Sequence, residues 1–122
     1  MRPILAACGF FLLLGLSSAS AQQDGLETRC GWFSNPTPAN AWLADKDGEW
    51  IIGVQGGRQA DGDWPDFKPA EWVRTNGNYG YGCACLRVKA DRKTLDILEI
   101  KSAHARPLSA CRRDRALKEP KE

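Results

Sequence analysis

Apolar residues fall along this chain in one solid run and then in a series of short ones. Ile4–Leu16 is unbroken apolar sequence. After it, apolar and aromatic residues come in short clusters bounded by Gly, Pro, Asn and Asp, the rhythm of strands and turns. Trp42–Asp45 and Glu49–Gln55 flank Lys46-Asp47-Gly48. An Asp-Gly step between apolar runs predicts a hairpin. The second arm, "EWIIGV", is apolar at consecutive positions and reads as buried on both faces. From Tyr79 the chain is extended again. As a single strand, "YGYGCACLRVKA" puts Tyr79, Tyr81, Cys83, Cys85, Arg87 and Lys89 on one face and Ala84, Leu86 and Val88 on the other. "ADRK" turns the chain and "TLDILEIKS" returns it, which predicts a second hairpin. Pro107 opens a short helical turn through "LSACRRDRAL".

Between the hairpins, residues 56–78 carry Gly56, Gly57, Gly62, Gly77, Pro65 and Pro69. This stretch reads as a long ordered loop with one short strand or helical turn around Trp72. Trp64, Phe67 and Trp72 anchor it to the core, and a connection of this length is uncommon without a function. Pro36 and Pro38 exclude a helix between Asn35 and Ala39. The expected fold class is mainly β, with a small α+β arrangement as its variant. It has about four strands in two hairpins, long aromatic loops, a short C-terminal helical turn and disulfide staples. Several of the five tryptophans, with Ile51, Ile52, Val54, Leu86, Val88, Leu95, Ile97 and Ile100, form the expected core.

The N-terminal run changes the domain picture. Arg2, the apolar stretch and Ala19-Ser20-Ala21 have the layout of a secretory signal peptide cleaved near Ala21. The run is short of the roughly 20 residues that span a bilayer. Leu5-Ala6-Ala7-Cys8 lies at the start of the apolar stretch rather than at its end, so lipidation at Cys8 would leave no export signal. The expected organisation is a signal peptide over 1–21, a flexible N-terminus over 22–28, one globular domain over 29–117 and a disordered tail over 118–122. The exported chain is periplasmic or secreted, with no membrane anchor.

Charge adds less. The full chain has a formal net charge of +2, and cleavage removes one basic residue, Arg2. Such a balance points away from nucleic acid as a partner. The bases concentrate in the second half, at Arg87, Lys89, Arg92, Lys93 and the "RRDR" at 112–115.

Four cysteines remain after cleavage: Cys30, Cys83, Cys85 and Cys111. In an oxidising compartment an even number reads as a disulfide framework. Bridging Cys83 to Cys85 spans one residue and conflicts with disulfide geometry. Two pairings stay open: Cys30 joins either Cys83 or Cys85, and Cys111 joins the other. A redox pair is usually spaced C-x-x-C at a helix N-terminus. A zinc site needs wider cysteine spacing, and the lone His104 has no near companion. Ser102 and Ser109 lie in no nucleophile turn.

Asp61, Asp63 and Asp66 cluster around Trp64, and Asp45, Asp47 and Glu49 alternate around Gly48. Oxygen donors suit calcium, and paired acids beside an aromatic suit sugar hydrolysis. No EF-hand spacing is present, however, and Asp-Gly makes turns without a metal. Asp61, Asp63 and Asp66 carry the alternative expectation of a small hydrolase or calcium-dependent protein. Catalytic residues, metal and cofactors are otherwise expected to be none.

All nine aromatic residues of the exported chain precede residue 82. Trp32, Trp64, Tyr79 and Tyr81, with Asp61, Asp63 and Asn76, form the candidate binding surface. Aromatic side chains on loops give stacking and anchor contacts. The leading expectation is a disulfide-stabilised, non-enzymatic binding module for a protein or glycan of the cell envelope. An enzyme inhibitor is one version, and a structural envelope component is a third reading.

Taken together, "RCGWFSNPTPANAWLADKDGEWIIGVQGG", "GDWP", "TNGNYGYGCAC" and "PLSACRRD" resemble a bacterial family of small exported proteins catalogued as domain of unknown function 4087. The resemblance covers about residues 29–114. It implies a periplasmic or secreted single domain with no assigned activity, so it assigns no site residue.

Overall fold

Six strands and one short helix follow one another in the order β1 (Leu26–Thr37), β2 (Asn40–Asp45), β3 (Gly48–Gly53), β4 (Trp72–Asn76), β5 (Tyr79–Asp91), β6 (Asp96–Arg106) and α1 (Leu108–Arg112). A 3-10 turn at Pro69–Glu71 leads into β4. This computed structural model describes Gly15 and residues 25–121. The signal peptide expected over 1–21, its cleavage site, and the first part of the 22–28 segment lie outside the described residues.

The two predicted hairpins are present. Asp45 pairs with Gly48 across the β2–β3 turn, and Asp91 pairs with Asp96 across the β5–β6 turn. The β2–β3 turn is fixed by the Asp45 carboxylate. Its Oδ1 accepts from the Asp47 N–H at 2.8 Å and the Gly48 N–H at 3.2 Å. Two further strands raise the expected count from four to six. β1 takes in residues read as a loose N-terminus: Leu26, Glu27 and Thr28 pair with Lys89, Val88 and Arg87 of β5. Pro36 is accommodated near the end of this strand, where the register with β2 shifts. β4 forms within the long 56–78 segment and pairs with the start of β5.

These pairings close a ring. β1 runs antiparallel to β2, β2 to β3, β6 to β5 and β5 to β1. One parallel pairing, Ile51 with Asp96, joins β3 to β6. β4 stands outside the ring, continuing the edge of β5 beyond the end of β6. With β4 set aside, the ring order is 1-2-3-5-4-1, a five-stranded Greek-key barrel with the connectivity of the OB-fold. The weak β3–β6 seam is caulked by residues 58–61. Ala60 N–H donates to the Ile52 carbonyl (2.8 Å), and Ile100 N–H donates to the Asp61 carbonyl (2.7 Å). Arg58 donates to the carbonyls of Ile97 and Ile51 and pairs with Asp96 at 3.0 Å. An arginine here satisfies seam carbonyls that a continuous ladder would otherwise occupy.

Alternation along β1 and β5 sends side chains to two separate cores. Phe33, Leu43, Trp50, Ile52, Ala84, Leu86, Val88, Ile97 and Ile100 fill the barrel. Trp32, Tyr81, Cys83 and Cys111 pack on the outside, beneath α1 and the C-terminal segment. The expected split of β5 into two faces is therefore present. The expected core needs two corrections, both in the arm read as buried on both faces: Val54 is 49% exposed and Ile51 lies outside both core clusters. β3 alternates, sending Trp50 and Ile52 inward and leaving Ile51 half-buried. Within the described part of the tail expected to be disordered, residues 118–121, one side chain is tied to the barrel. Glu119 accepts from the Tyr81 hydroxyl at 2.7 Å and from Arg112 Nε at 2.7 Å.

The open question of cysteine pairing is resolved as Cys30–Cys85 and Cys83–Cys111. The first crosses between directly paired residues of β1 and β5. The second fastens α1 to β5.

Candidate functional site: an aromatic groove

The long segment before β4 builds an open groove of about 360 Å³ lined chiefly by Phe33, Trp64, Pro65, Phe67 and Trp72, with Asn35, Lys68, Arg74 and Asn78 at its margin. Three stretches of chain supply its rings. Phe33 comes from β1 and is 2% exposed, so it forms the floor. Trp64 and Phe67 come from the segment after Gly62, and Trp72 begins β4. Trp64 meets Phe33 edge-on at 5.6 Å between centroids, Phe67 lies 5.7 Å from Phe33, and Phe67 and Trp72 are 4.8 Å apart. Such tilted and T-shaped pairs are favourable beyond the area that they bury.

Local chemistry holds these rings in place. Pro65 and Pro69 restrict the backbone on either side of Phe67. Glu71 Oε1 accepts from the Lys68 N–H at 2.9 Å, capping the 3-10 turn before Trp72. Trp72 Nε1 donates to the Asn78 carbonyl at 3.1 Å, tying the groove wall to the β4–β5 turn. Gly82 makes room for Phe67: a Cβ there would come within 2.5 Å of Phe67 Cε1 and 2.6 Å of the Glu71 carbonyl oxygen. Asn35 spends its amide on the carbonyls of Thr37 and Asn40 at 2.8 Å each. Its Oδ1 and the exposed Lys68 and Arg74 side chains keep polar capacity at the margin. Trp64, Phe67 and Trp72 are all half-buried.

The expected binding surface is thus redistributed. Trp64 is part of the groove. Trp32 and Tyr81 are corrected to core residues, at 0% and 6% exposed, and they pack against each other at 5.4 Å. They share the outer face with the buried Cys83–Cys111 bridge, whose helix covers them. Tyr79 is half-buried, and Asn76 is exposed with its amide directed to the Pro36 carbonyl at 3.4 Å. Asp61, Asp63 and Asp66 are exposed. Among the described residues, no group of three or more His, Cys, Asp or Glu side chains is arranged to hold a metal ion. Phe67 and Trp72 join the site although the sequence marks them as anchors, and Phe33 joins it with no role assigned from sequence; of the three, only Phe67 and Trp72 lie near Trp64 in the chain. The close spacing in "GDWPDFKPAEW" is the signal that could have grouped the latter two with Trp64.

In a second cluster, two of the acids singled out around Gly48, Asp45 and Asp47, pair with an arginine instead of standing as free oxygen donors. Arg29 is 7% exposed at the barrel end. It contacts Asp45 (2.8 Å), Glu27 (3.0 Å) and Asp47 (3.1 Å), and its guanidinium lies 3.6 Å from the Trp50 ring centre. Burial disfavours the charged form, but hydrogen bonds donated to Asp45, Asp47 and Glu27 outweigh it and hold the Arg29 pKa above its ordinary value. Arg92 also reaches Glu27, at 2.9 Å. Two guanidiniums thus meet three carboxylates, and the cluster works as a polar plug for the barrel.

The fold narrows where a ligand can sit. OB-type barrels bind with the face of strands 2 and 3 and the loops joining strands 1–2 and 4–5. Here those loops are the two-residue turn Pro38-Ala39 and the four-residue turn Arg92–Leu95. Neither is long enough to wall a site, whereas the insertion around β4 is. Among the described residues, no helix is long and apolar enough to cross a membrane. No curated protein and no solved structure matches the chain significantly. The sequence profile described as protein of unknown function (DUF4087) matches residues 24–118. That span takes in every strand and the helix, and the chain belongs to the DUF4087 family.

Proposed function

We propose that this protein is an exported binding module whose aromatic groove takes a segment of glycan from the cell envelope. The observation that carries the reading is the convergence of Phe33, Trp64, Phe67 and Trp72, drawn from three stretches of chain, on one open groove. Aromatic faces stack on the apolar C–H faces of sugar rings, while Asn35, Lys68 and Arg74 offer hydrogen bonds to hydroxyl and carboxylate groups at the margin. Trp64 is the principal contact. Its ring is half-buried, and its indole N–H has no hydrogen-bond partner among the described residues, so a donor remains for a ligand. Export rests on the N-terminal sequence and fits the two disulfides, which persist in oxidising compartments.

Titration calorimetry with soluble fragments of peptidoglycan and of other envelope polysaccharides tests the reading. Binding is expected, with Trp64→Ala weakening it by about 2 kcal/mol, roughly 30-fold, measured at a temperature where the variant is still folded, since loss of the Trp64–Phe33 contact lowers its thermal midpoint. Equal affinity in parent and variant contradicts the groove. Binding of a protein partner through Trp64, with no response to any glycan, contradicts the glycan assignment and keeps the groove.

A further inference from the structure

The two disulfides occupy opposite environments. Cys83 and Cys111 are 1% and 2% exposed in the outer core. Cys30 is exposed and Cys85 half-buried, on the uncovered part of the same barrel face. Register sets what surrounds the second bridge. Cys85 stands opposite His104, and Cys83 stands opposite Arg106 on β6. Arg106 Nη1 donates to Cys85 Sγ at 3.7 Å. Arg87 and Lys89 follow Cys85 on its face of β5, are exposed, and form no ion pair among the described residues. Arg87, Lys89 and Arg106 thus lie on the Cys85 side of the exposed bridge, whereas Cys30 borders Glu27, Asp45, Asp47 and Asp114.

We propose that Cys30–Cys85 is a thiol–disulfide exchange site for small thiols, with Cys30 the sulfur attacked and Cys85 the leaving sulfur. The incoming thiolate forms a bond to Cys30 Sγ as the Cys30–Cys85 bond breaks, and the electron pair departs on Cys85 Sγ. Arg106 faces the thiolate so formed, and a neighbouring cation lowers a thiol's pKa and improves it as a leaving group. A second equivalent of thiol attacks its own sulfur in the mixed disulfide. That releases Cys30 as a thiolate and the small molecule as its disulfide. Two electrons pass from two thiols to the bridge. The fold tolerates the open form because β1 and β5 stay paired from Leu26–Lys89 to Asn35–Gly80. The inference is independent of the aromatic groove, which uses neither cysteine.

The test treats the oxidised, folded protein with glutathione, quenches by alkylation and maps labelled cysteines by mass spectrometry. The expected result is label at Cys30 and Cys85 with Cys83–Cys111 intact. Arg106→Gln should slow the exchange about threefold, because the cation facing the departing thiolate is lost, without moving the thermal midpoint. Opening of Cys83–Cys111 first or together with Cys30–Cys85, or no opening short of denaturation, overturns the proposal. A parental rate in Arg106→Gln also overturns it.

Discussion

Arg29 shows how one side chain can close a barrel end. Its guanidinium lies against Trp50 and bridges Glu27 to Asp45, whose side chain is only 4% exposed. Removing one partner from a buried ionic cluster leaves the others uncompensated. Arg29→Ala is therefore expected to cost roughly 3–5 kcal/mol in urea unfolding. Arg29→Lys should also destabilise, because a single ammonium cannot span carboxylates on both sides of a planar fork. A midpoint for Arg29→Ala equal to the parent's contradicts the plug. Arginine is rarely buried, which hides this residue in the sequence, and Glu27 of β1 meets Asp45 of β2 and Asp47 of the β2–β3 turn only through the fold. Glu119 makes a different case at the same scale. Hydrogen bonds from Arg112 and then Tyr81 hold its carboxyl below the usual range. A depressed carboxylate stabilises the clasp above the unfolded-state pKa and loses that contribution as pH falls through the folded value. Acidification should therefore release the tail before the barrel unfolds, read as a change in Tyr81 and Trp32 emission. Glu119→Gln should abolish that step; a parental acid transition in the variant contradicts it.

Elements whose partners lie nearby in sequence were legible, and those with distant partners were not. Both hairpins and the helical turn after Pro107 follow from turn residues and short-range pattern. β5 separates Tyr81 and Cys83 from Ala84, Leu86 and Val88, as period-two alternation requires. The start of β1 looked like a polar terminus because "LETR" has little apolar content of its own; its strand character comes from β5, more than fifty residues away. β4 was partly legible as a short strand near Trp72, and what it does for the groove depends on Gly80 and Gly82. A Cβ on Gly80 would collide with the Val73 carbonyl oxygen. Gly82→Ala is expected to push Phe67 out of its seat and to cost about 1–3 kcal/mol, the usual range for overpacking. Ligand affinity should fall with it. Parental stability and affinity in Gly82→Ala would contradict the close seating of Phe67 against β5.

On the scale of the whole molecule, a small barrel with one weak seam is held by covalent ties placed away from that seam. Cys30–Cys85 closes a separation of 55 residues and Cys83–Cys111 one of 28. In the chain-entropy model each contributes about 4 kcal/mol, a large share of the roughly 5–15 kcal/mol typical of a domain. Cys83→Ala/Cys111→Ala should accordingly lower the unfolding free energy by a few kcal/mol and loosen α1, checked by hydrogen exchange at Leu108–Arg112. Unchanged protection there contradicts the role of the bridge. The disulfide framework was legible from cysteine count, but the pairing was not, since it follows from the β1–β5 register. The binding surface was half legible for a related reason. Pattern identifies aromatic residues, yet which of them a helix covers and which a loop presents is decided by ring closure. The five tryptophans give the most direct test of the groove as the binding site. In a nitrogen-15 correlation spectrum titrated with peptidoglycan fragments, the indole signals of Trp64 and Trp72 should shift while those of Trp32 and Trp50 stay in place. Indole signals that all remain fixed, or movement confined to Trp42, would contradict a glycan site in the groove.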